Sequence, residues 1–268
     1  MHIEVRRFGS PARQMLGLLQ RPLAGRARRP AFLMLRPFGQ EAIRTAAIYR
    51  AMSDRLAREG CSVFTFDHHG CGDSPGNLDV QSMADWVNDT AAAHDQLQRD
   101  APGLPVHWFG MCLGANIAAA AALKVAYPPE HLLLWEPIVD GVSYLERLTQ
   151  VHRDEMAREM GRSWTELVRL GHEVEPSLPG NVLGFSVGKE LHAELLQLRG
   201  LATASIGHCV SRVVVALQES QHNALGTEKL EGVILQTVES PTNWMSIEAL
   251  DTAIVPQEIP RTLLATLQ

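Results

Sequence analysis

Much of what would direct a reading of this chain is missing from it. No run of roughly eighteen apolar residues occurs, so no single-pass span is expected. The first ten residues carry no apolar stretch of signal-peptide length, which makes a cytoplasmic protein the expectation. Four cysteines, Cys61, Cys71, Cys112 and Cys209, lack Cys-x-x-Cys spacing; in a reducing compartment they are expected as free thiols. The histidines are dispersed apart from the adjacent His68 and His69, with no i, i+4 pair beside a carboxylate, so no metal site is indicated. No glycine-rich phosphate loop is present, and neither nicotinamide nor flavin is called for. Positive charge is in deficit: 24 Lys and Arg against 30 Asp and Glu leave a net charge of −6. That balance gives no electrostatic footprint for nucleic acid or an anionic membrane. The arginines crowding the start are interleaved with apolar residues and read as a solvated face. No histidine follows His222, an absence that matters below.

What is present is a chain of 268 residues, 46% hydrophobic, enough to bury the core of one sizeable α/β domain. Strand-like and helix-like stretches alternate, the pattern of a mostly parallel sheet covered on both faces. Residues 3–8 and 14–20 read as an antiparallel edge. Strands are expected at 31–35, 61–66, 106–109, 131–135, 212–217 and 232–238. Helices are expected at 42–58, 80–98 and 115–123, with a closing helix at 257–267. Between about 143 and 207 the pattern turns helical and polar, with segments at 146–161, 164–170 and 189–198 around a Pro/Gly-rich stretch.

Gly110-Met111-Cys112-Leu113-Gly114 sits between an apolar run, Val106-His107-Trp108-Phe109, and an alanine-rich helical run. A side chain held on so sharp a turn leaves no room for Cβ atoms two residues to either side, which accounts for both glycines. Strand, turn and helix together resemble the nucleophile elbow of α/β-hydrolases, with cysteine where serine is usual. The Gly-x-Cys-Leu-Gly string is similar to that of dienelactone hydrolases. His69-Gly70-Cys71-Gly72-Asp73-Ser74 resembles the loop after the equivalent strand in esterases and serine aminopeptidase-like hydrolases. Pro37-Phe38-Gly39-Gln40-Glu41, Gly70-Cys71-Gly72-Asp73-Ser74, Leu134-Trp135-Glu136-Pro137 with Asp140-Gly141, and Gly184-Phe185 look like the exosortase A system-associated hydrolase group.

The resemblance implies an α/β-hydrolase core, 1–142 and 208–268, with a helical cap inserted at 143–207. It implies that Cys112 is the nucleophile, aided by the positive end of the elbow helix. Oxyanion donors in this fold are two backbone N–H groups, here those of Leu113 and Phe38. It also implies a histidine after the last strand, and the chain has none. The nearest substitute is His222, with Glu219 close by, in the loop that usually carries the acid, giving a displaced triad of Cys112, His222 and Glu219. Glu41 heads a helix, where a carboxylate is favourable in any protein, yet its place beside Phe38 leaves a pocket role open. Trp244 and Trp164 are candidate pocket walls or simply core. His68, His69 and His107 read as structural, Cys71 as a small loop residue, Cys61 and Cys209 as buried thiols, and Asp73 and Ser74 as partners of their own turn.

Two function classes follow. The first is an acyl hydrolase or acyltransferase acting on a small ester or thioester, free or carrier-bound, through an S-acyl Cys112. The second is a catalytically inactive hydrolase scaffold with a binding role, which the missing histidine favours.

Overall fold

Five consecutive apolar residues, Ala31–Leu35, cannot sit on a sheet with one wet face, and all five are buried. They form β3, near the middle of an eight-stranded sheet in a computed structural model that describes residues 2–22, 29–201, 203–222, 232–239, 243–245 and 256–267. The strands are β1 (His2–Ser10), β2 (Arg13–Arg21), β3, β4 (Val63–Asp67), β5 (Val106–Met111), β6 (His131–Trp135), β9 (Arg212–Leu217) and β10 (Val233–Thr237). Their order is β1-β2-β4-β3-β5-β6-β9-β10. β1 and β2 pair antiparallel and β2 joins β4 antiparallel, while every other pairing in the sheet is parallel. This is the α/β-hydrolase fold.

Alternate residues of the buried strands serve opposite faces. Ala31, Leu33 and Leu35 join a core with α3 (Met83–Asp100) and α4 (Leu113–Ala122). Phe32 and Met34 join a second core with α2 (Ala46–Arg58) and α10 (Glu258–Ala265). The helix expected at 42–58 starts earlier and is divided: α1 (Gly39–Arg44) ends at Thr45, and α2 follows at once. The helix expected from residue 80 is preceded by a 3-10 turn, Leu78–Val80, and begins under a capping box of Ser82 and Asp85.

Between β6 and β9 the chain leaves the sheet for α5 (Gly141–Met160), α6 (Trp164–Arg169), a hairpin of β7 (Gly180–Val182) and β8 (Phe185–Val187), α7 (Lys189–Gln197) and α8 (Thr203–Cys209). The hairpin was not expected from the Pro/Gly-rich stretch. Its two-residue turn, Leu183-Gly184, has φ of 52° and 81°, the paired positive values that fit strand twist. Gln40 donates to the Leu183 carbonyl at 3.2 Å and Phe185 packs against Phe38, so the hairpin leans on α1. Cys61 is buried as expected, whereas Cys209 is exposed. Cys209 ends α8 on the surface, so its small apolar thiol signals no core position.

Two loops at the carboxyl edge of the sheet are pinned from within. Asn116 of α4 donates to the Ile138 carbonyl and accepts from its N–H, both at 2.8 Å, clamping the loop after β6. The Ser74 hydroxyl donates to the Asp67 carbonyl at 2.6 Å and accepts the Leu16 N–H at 2.9 Å, tying the loop after β4 to β2 and β4. Buried Asp89 accepts from Arg13 at 2.6 and 3.0 Å and from the His69 N–H at 3.1 Å.

At the other end of the sheet, His107 of β5 stacks on His131 of β6 with centroids 4.3 Å apart. Burial and the neighbouring imidazole lower His107 to about 4. The unfolded chain binds a proton near 6.5 that the folded ring refuses, so stability should be full above that pH and fall as pH drops toward 4. The loss should be on the order of 3 kcal/mol. Denaturant titrations across that window should show this slope, and His107→Phe, which keeps the ring packing, should flatten it. An equally steep slope in the variant would assign the acid sensitivity elsewhere.

Candidate active site

Cys112 joins the end of β5 to the start of α4 with φ 49° and ψ −127°, a conformation that L-residues adopt rarely and at a cost of about 1–3 kcal/mol. The surroundings leave no alternative. A Cβ on Gly110 would come within 2.6 Å of the Gly114 carbonyl oxygen. One on Gly114 would stand 2.5 Å from the Arg36 oxygen and 2.7 Å from that of Leu35. The end of β3 therefore runs directly against the first turn of α4, bringing the loop that carries Phe38 alongside the elbow.

The thiol lines a cavity of about 300 Å³ shared with Glu41, Glu136, Tyr144, Arg147 and Trp244. Glu41 comes from the first turn of α1 and is 2% exposed. The Tyr144 hydroxyl donates to its Oε2 at 3.1 Å, and Arg147 Nη2 lies 4.0 Å from Oε1. Both partners sit one turn apart on α5, so the start of that helix closes the cavity over Glu41. Burial raises Glu41 to about 7, against the pull of Arg147 and of hydrogen bonds from Tyr144 and the Cys112 thiol. Burial likewise pushes the Cys112 thiol well above its ordinary range, and the charges of Glu41 and Glu136 push it further. The resting sulfur is therefore a protonated thiol facing a carboxyl group poised between its two forms.

Glu136 is the second carboxyl of the cavity and the first residue after β6. It too has positive φ, 45°, with its N–H bonded to the Ala216 carbonyl at 2.7 Å. Gln218 donates to its Oε1 at 3.0 Å and the Trp244 indole to its Oε2 at 2.6 Å. Burial raises its pKa, opposed by those two donors. Trp244, 5% exposed, thus lines the cavity while orienting a carboxyl group.

The structure brings Cys112, Glu41 and Trp244 together, with Leu113 beginning α4 and Phe38 immediately before α1. It does not assemble the displaced triad. The chain after β9 forms one short turn, α9 (Glu219–His222), and turns Gln218 and Gln221 into the cavity. Neither Glu219 nor His222 lines that cavity. His222 Nε2 lies 3.3 Å from the Leu217 carbonyl. Among the described residues no histidine lines the cavity. Trp164 is distant from this role, its indole donating to Glu175 in the exposed part of the cap. Glu136, Tyr144, Arg147, Gln218 and Gln221 escaped the sequence reading. Only Glu136 carried a usable signal, a carboxylate directly after a buried parallel strand at the edge where ligands gather.

Among the described residues no group of His, Cys, Asp and Glu is arranged to hold a metal ion, and no helix is long and apolar enough to cross a membrane.

Similarity to solved structures is extensive in space and slight in sequence. A thermostable carboxyl esterase from Bacillus coagulans superposes with a TM-score of 0.63 at 14% identity, covering 100% of both chains. A soluble variant of monoglyceride lipase from Saccharomyces cerevisiae gives 0.61 at 14%, covering 100% of this chain and 96% of the other. The thioesterase domain from the curacin biosynthetic pathway gives 0.57 at 13%, covering 98% and 100%. These likenesses show a shared fold. No curated protein matches the chain in sequence. The sequence profile of the family described as serine aminopeptidase, S33, matches residues 42–188, more than half of the 268 residues, and the chain belongs to that hydrolase family.

Proposed function

We propose that this protein is a cysteine-dependent acyl hydrolase or acyltransferase for esters or thioesters, with Glu41 rather than a histidine as its proton carrier. One observation carries the reading: the thiol on the strained elbow faces a buried carboxyl group whose pKa lies near neutrality. A group poised there can both take and return a proton at physiological pH.

In this mechanism the Cys112 sulfur attacks the substrate carbonyl carbon as its proton passes to Glu41. The carbonyl oxygen becomes an oxyanion held by the N–H groups of Leu113 and Phe38. Each such donor typically contributes about 3 kcal/mol to the transition state. Collapse breaks the bond to the alcohol or thiol, which departs with the proton from Glu41. Water, or another acceptor, then attacks the S-acyl carbon, gives its proton to Glu41, and the released sulfur recovers it. Developing negative charge beside Glu41 and Glu136 is unfavourable, so the thiolate forms only with a carbonyl in place to receive its electrons. Arg147 at the cavity wall and the amide N–H groups offset that charge as it moves onto the substrate. Esterase and thioesterase structures among the neighbours support this substrate class.

Incubation with activated aryl esters and acyl thioesters should add one acyl mass to the intact protein, and Cys112→Ala should abolish the adduct. No adduct across a broad panel would favour the binding scaffold instead. Glu41→Gln should lower kcat/KM about a hundredfold or more and remove an ascending limb centred at about 7 in the pH profile. Folding should respond in the opposite sense. Glu41 keeps a proton in the folded state between about 4.5 and about 7 that the unfolded chain has lost, so its contribution to stability falls as pH rises through that window. At pH 8 the Gln variant should therefore melt at a higher temperature than the parent while turning over less. A variant both less stable and unchanged in pH profile would remove Glu41 from the mechanism. Turnover by His222→Ala should match the parent, and a loss beyond tenfold would restore the displaced triad.

A further inference from the structure

Strand β1 forms one edge of the eight-stranded sheet, and among the described residues it pairs only with β2. Its residues match β2 one to one from His2 to Ser10, with no bulge and no proline inside the strand. Edge strands ordinarily carry some such interruption, because an unbroken row of free backbone groups invites another strand. Which groups are free here follows from β2. The Leu16 N–H turns to the Ser74 hydroxyl at 2.9 Å, on the β4 side of β2. Leu16 is the partner of Arg7, so Arg7 exchanges no bonds with β2, and by the alternation of an antiparallel ladder neither do Val5 and Ile3. These three residues direct their N–H and C=O groups to the open edge. The Val5 carbonyl accordingly accepts a solvent-exposed bond from Arg6 Nη1 at 3.5 Å.

The same stretch leaves apolar side chains in solvent. Ile3 is 52% exposed and Val5 65%, and Leu18, directly opposite Val5 on β2, is 49% exposed. On the other face Glu4 and Arg6 pair with each other and reach Arg21 and Asp100.

The order of these residues fits a second copy of the chain. Antiparallel pairing of two copies about a two-fold axis sets residues on either side of the axis against one another. An axis at Glu4, at Arg6 or at Arg7 places that charged residue against its own copy, which is destabilising. An axis at Val5 places Glu4 against the second copy's Arg6, and Arg6 against its Glu4. It also makes bonded pairs of Val5 with Val5 and of Ile3 with Arg7, the residues whose backbone groups are free. Val5 and Leu18 of both copies then lie together on one face.

We infer that β1 is the seat of a symmetric homodimer in which two sheets join edge to edge, with Val5 on the two-fold axis. The inference is independent of acyl transfer at Cys112, which follows β5 in the interior of the sheet.

Sedimentation velocity of the full chain across the micromolar range tests it. The parent should pass from the mass of one chain to that of two as concentration rises. Glu4→Arg and Arg6→Glu each set like charges together on both sides of the axis, and each should weaken association about tenfold or more. An equimolar mixture of these two variants restores opposite charges at both places and should associate as the parent does, a rescue that damage within one chain does not produce. Val5→Pro removes an outward N–H that β2 does not use and should abolish the dimer, with circular dichroism confirming an intact fold. Cys112→Ala should associate as the parent does. A parent that stays monomeric, association unchanged in all three edge variants, or a mixture no better associated than its separate components, would overturn the inference.

Discussion

A carboxyl group held in an interior cavity against a thiol cannot ionise freely, and the thiol cannot ionise while the carboxyl group is charged. Glu41 and Cys112 stand in that relation, and the surrounding architecture maintains it. The elbow holds the sulfur at an unfavourable φ because Gly110 and Gly114 let three backbone segments meet there. Helix α1 begins right after the loop that follows β3, which delivers Glu41 from the neighbouring strand of the sheet. Helix α5 then lays Tyr144 and Arg147 over the carboxyl group, excluding water while supplying one donor and one positive charge. Each element is stabilised mainly by burial in the two cores, and the energy stored at the pair is small beside that burial.

Cys112 and Glu136 are the first residues after the adjacent parallel strands β5 and β6, and both have positive φ without being glycine. Strain of this kind persists only where the surroundings over-determine it. For Cys112 the constraint is steric. For Glu136 it is a set of hydrogen bonds: Ala216 on the backbone, Gln218 and Trp244 on the side chain, with Asn116 clamping the loop two residues further on. That loop also continues into Asp140, whose side chain caps α5 through the Ser143 N–H. One short segment thus couples the end of β6, the second buried carboxyl group and the helix that covers Glu41.

The fold was legible because its signals are local and repeated. Largely apolar runs such as 31–35, 131–135 and 212–217 mark buried parallel strands at their observed bounds, and the glycines around Cys112 mark a turn that tolerates no Cβ. The hairpin at 180–187 was hidden because its turn is Leu183-Gly184, with leucine where asparagine or aspartate would ordinarily announce positive φ. The candidate site was harder to read because its residues come from six separate stretches, at 41, 112, 136, 144–147, 218–221 and 244. His222 was a candidate because it lies in the loop after β9, yet Gln218 and Gln221 of that segment line the cavity and His222 does not. Glu41 was noticed for its place beside Phe38, but its burial, which sets its proton affinity, is a property of packing by α5 and has no local signature.

In the proposed chemistry the cysteine and the absence of a histidine after β10 form one departure from a serine-based site. A hydroxyl is so weak an acid that an imidazole, oriented by a carboxylate, ordinarily accepts its proton. A thiol is far more acidic and intrinsically more nucleophilic, so a weaker base suffices, provided its proton affinity lies near the working pH. An exposed glutamate is too weak a base at neutrality. Buried under Tyr144 and flanked by Glu136, Glu41 reaches about 7, the range an imidazole occupies when exposed. Burial thereby converts an ordinary carboxylate into a group with the proton affinity of histidine, and it does so on the helix that follows β3, the strand next to the nucleophile's, rather than after the last strand. In the proposed chemistry, Ser in place of Cys112 would leave Glu41 too weak a partner. A histidine placed after β10 would add a base that the thiol does not need.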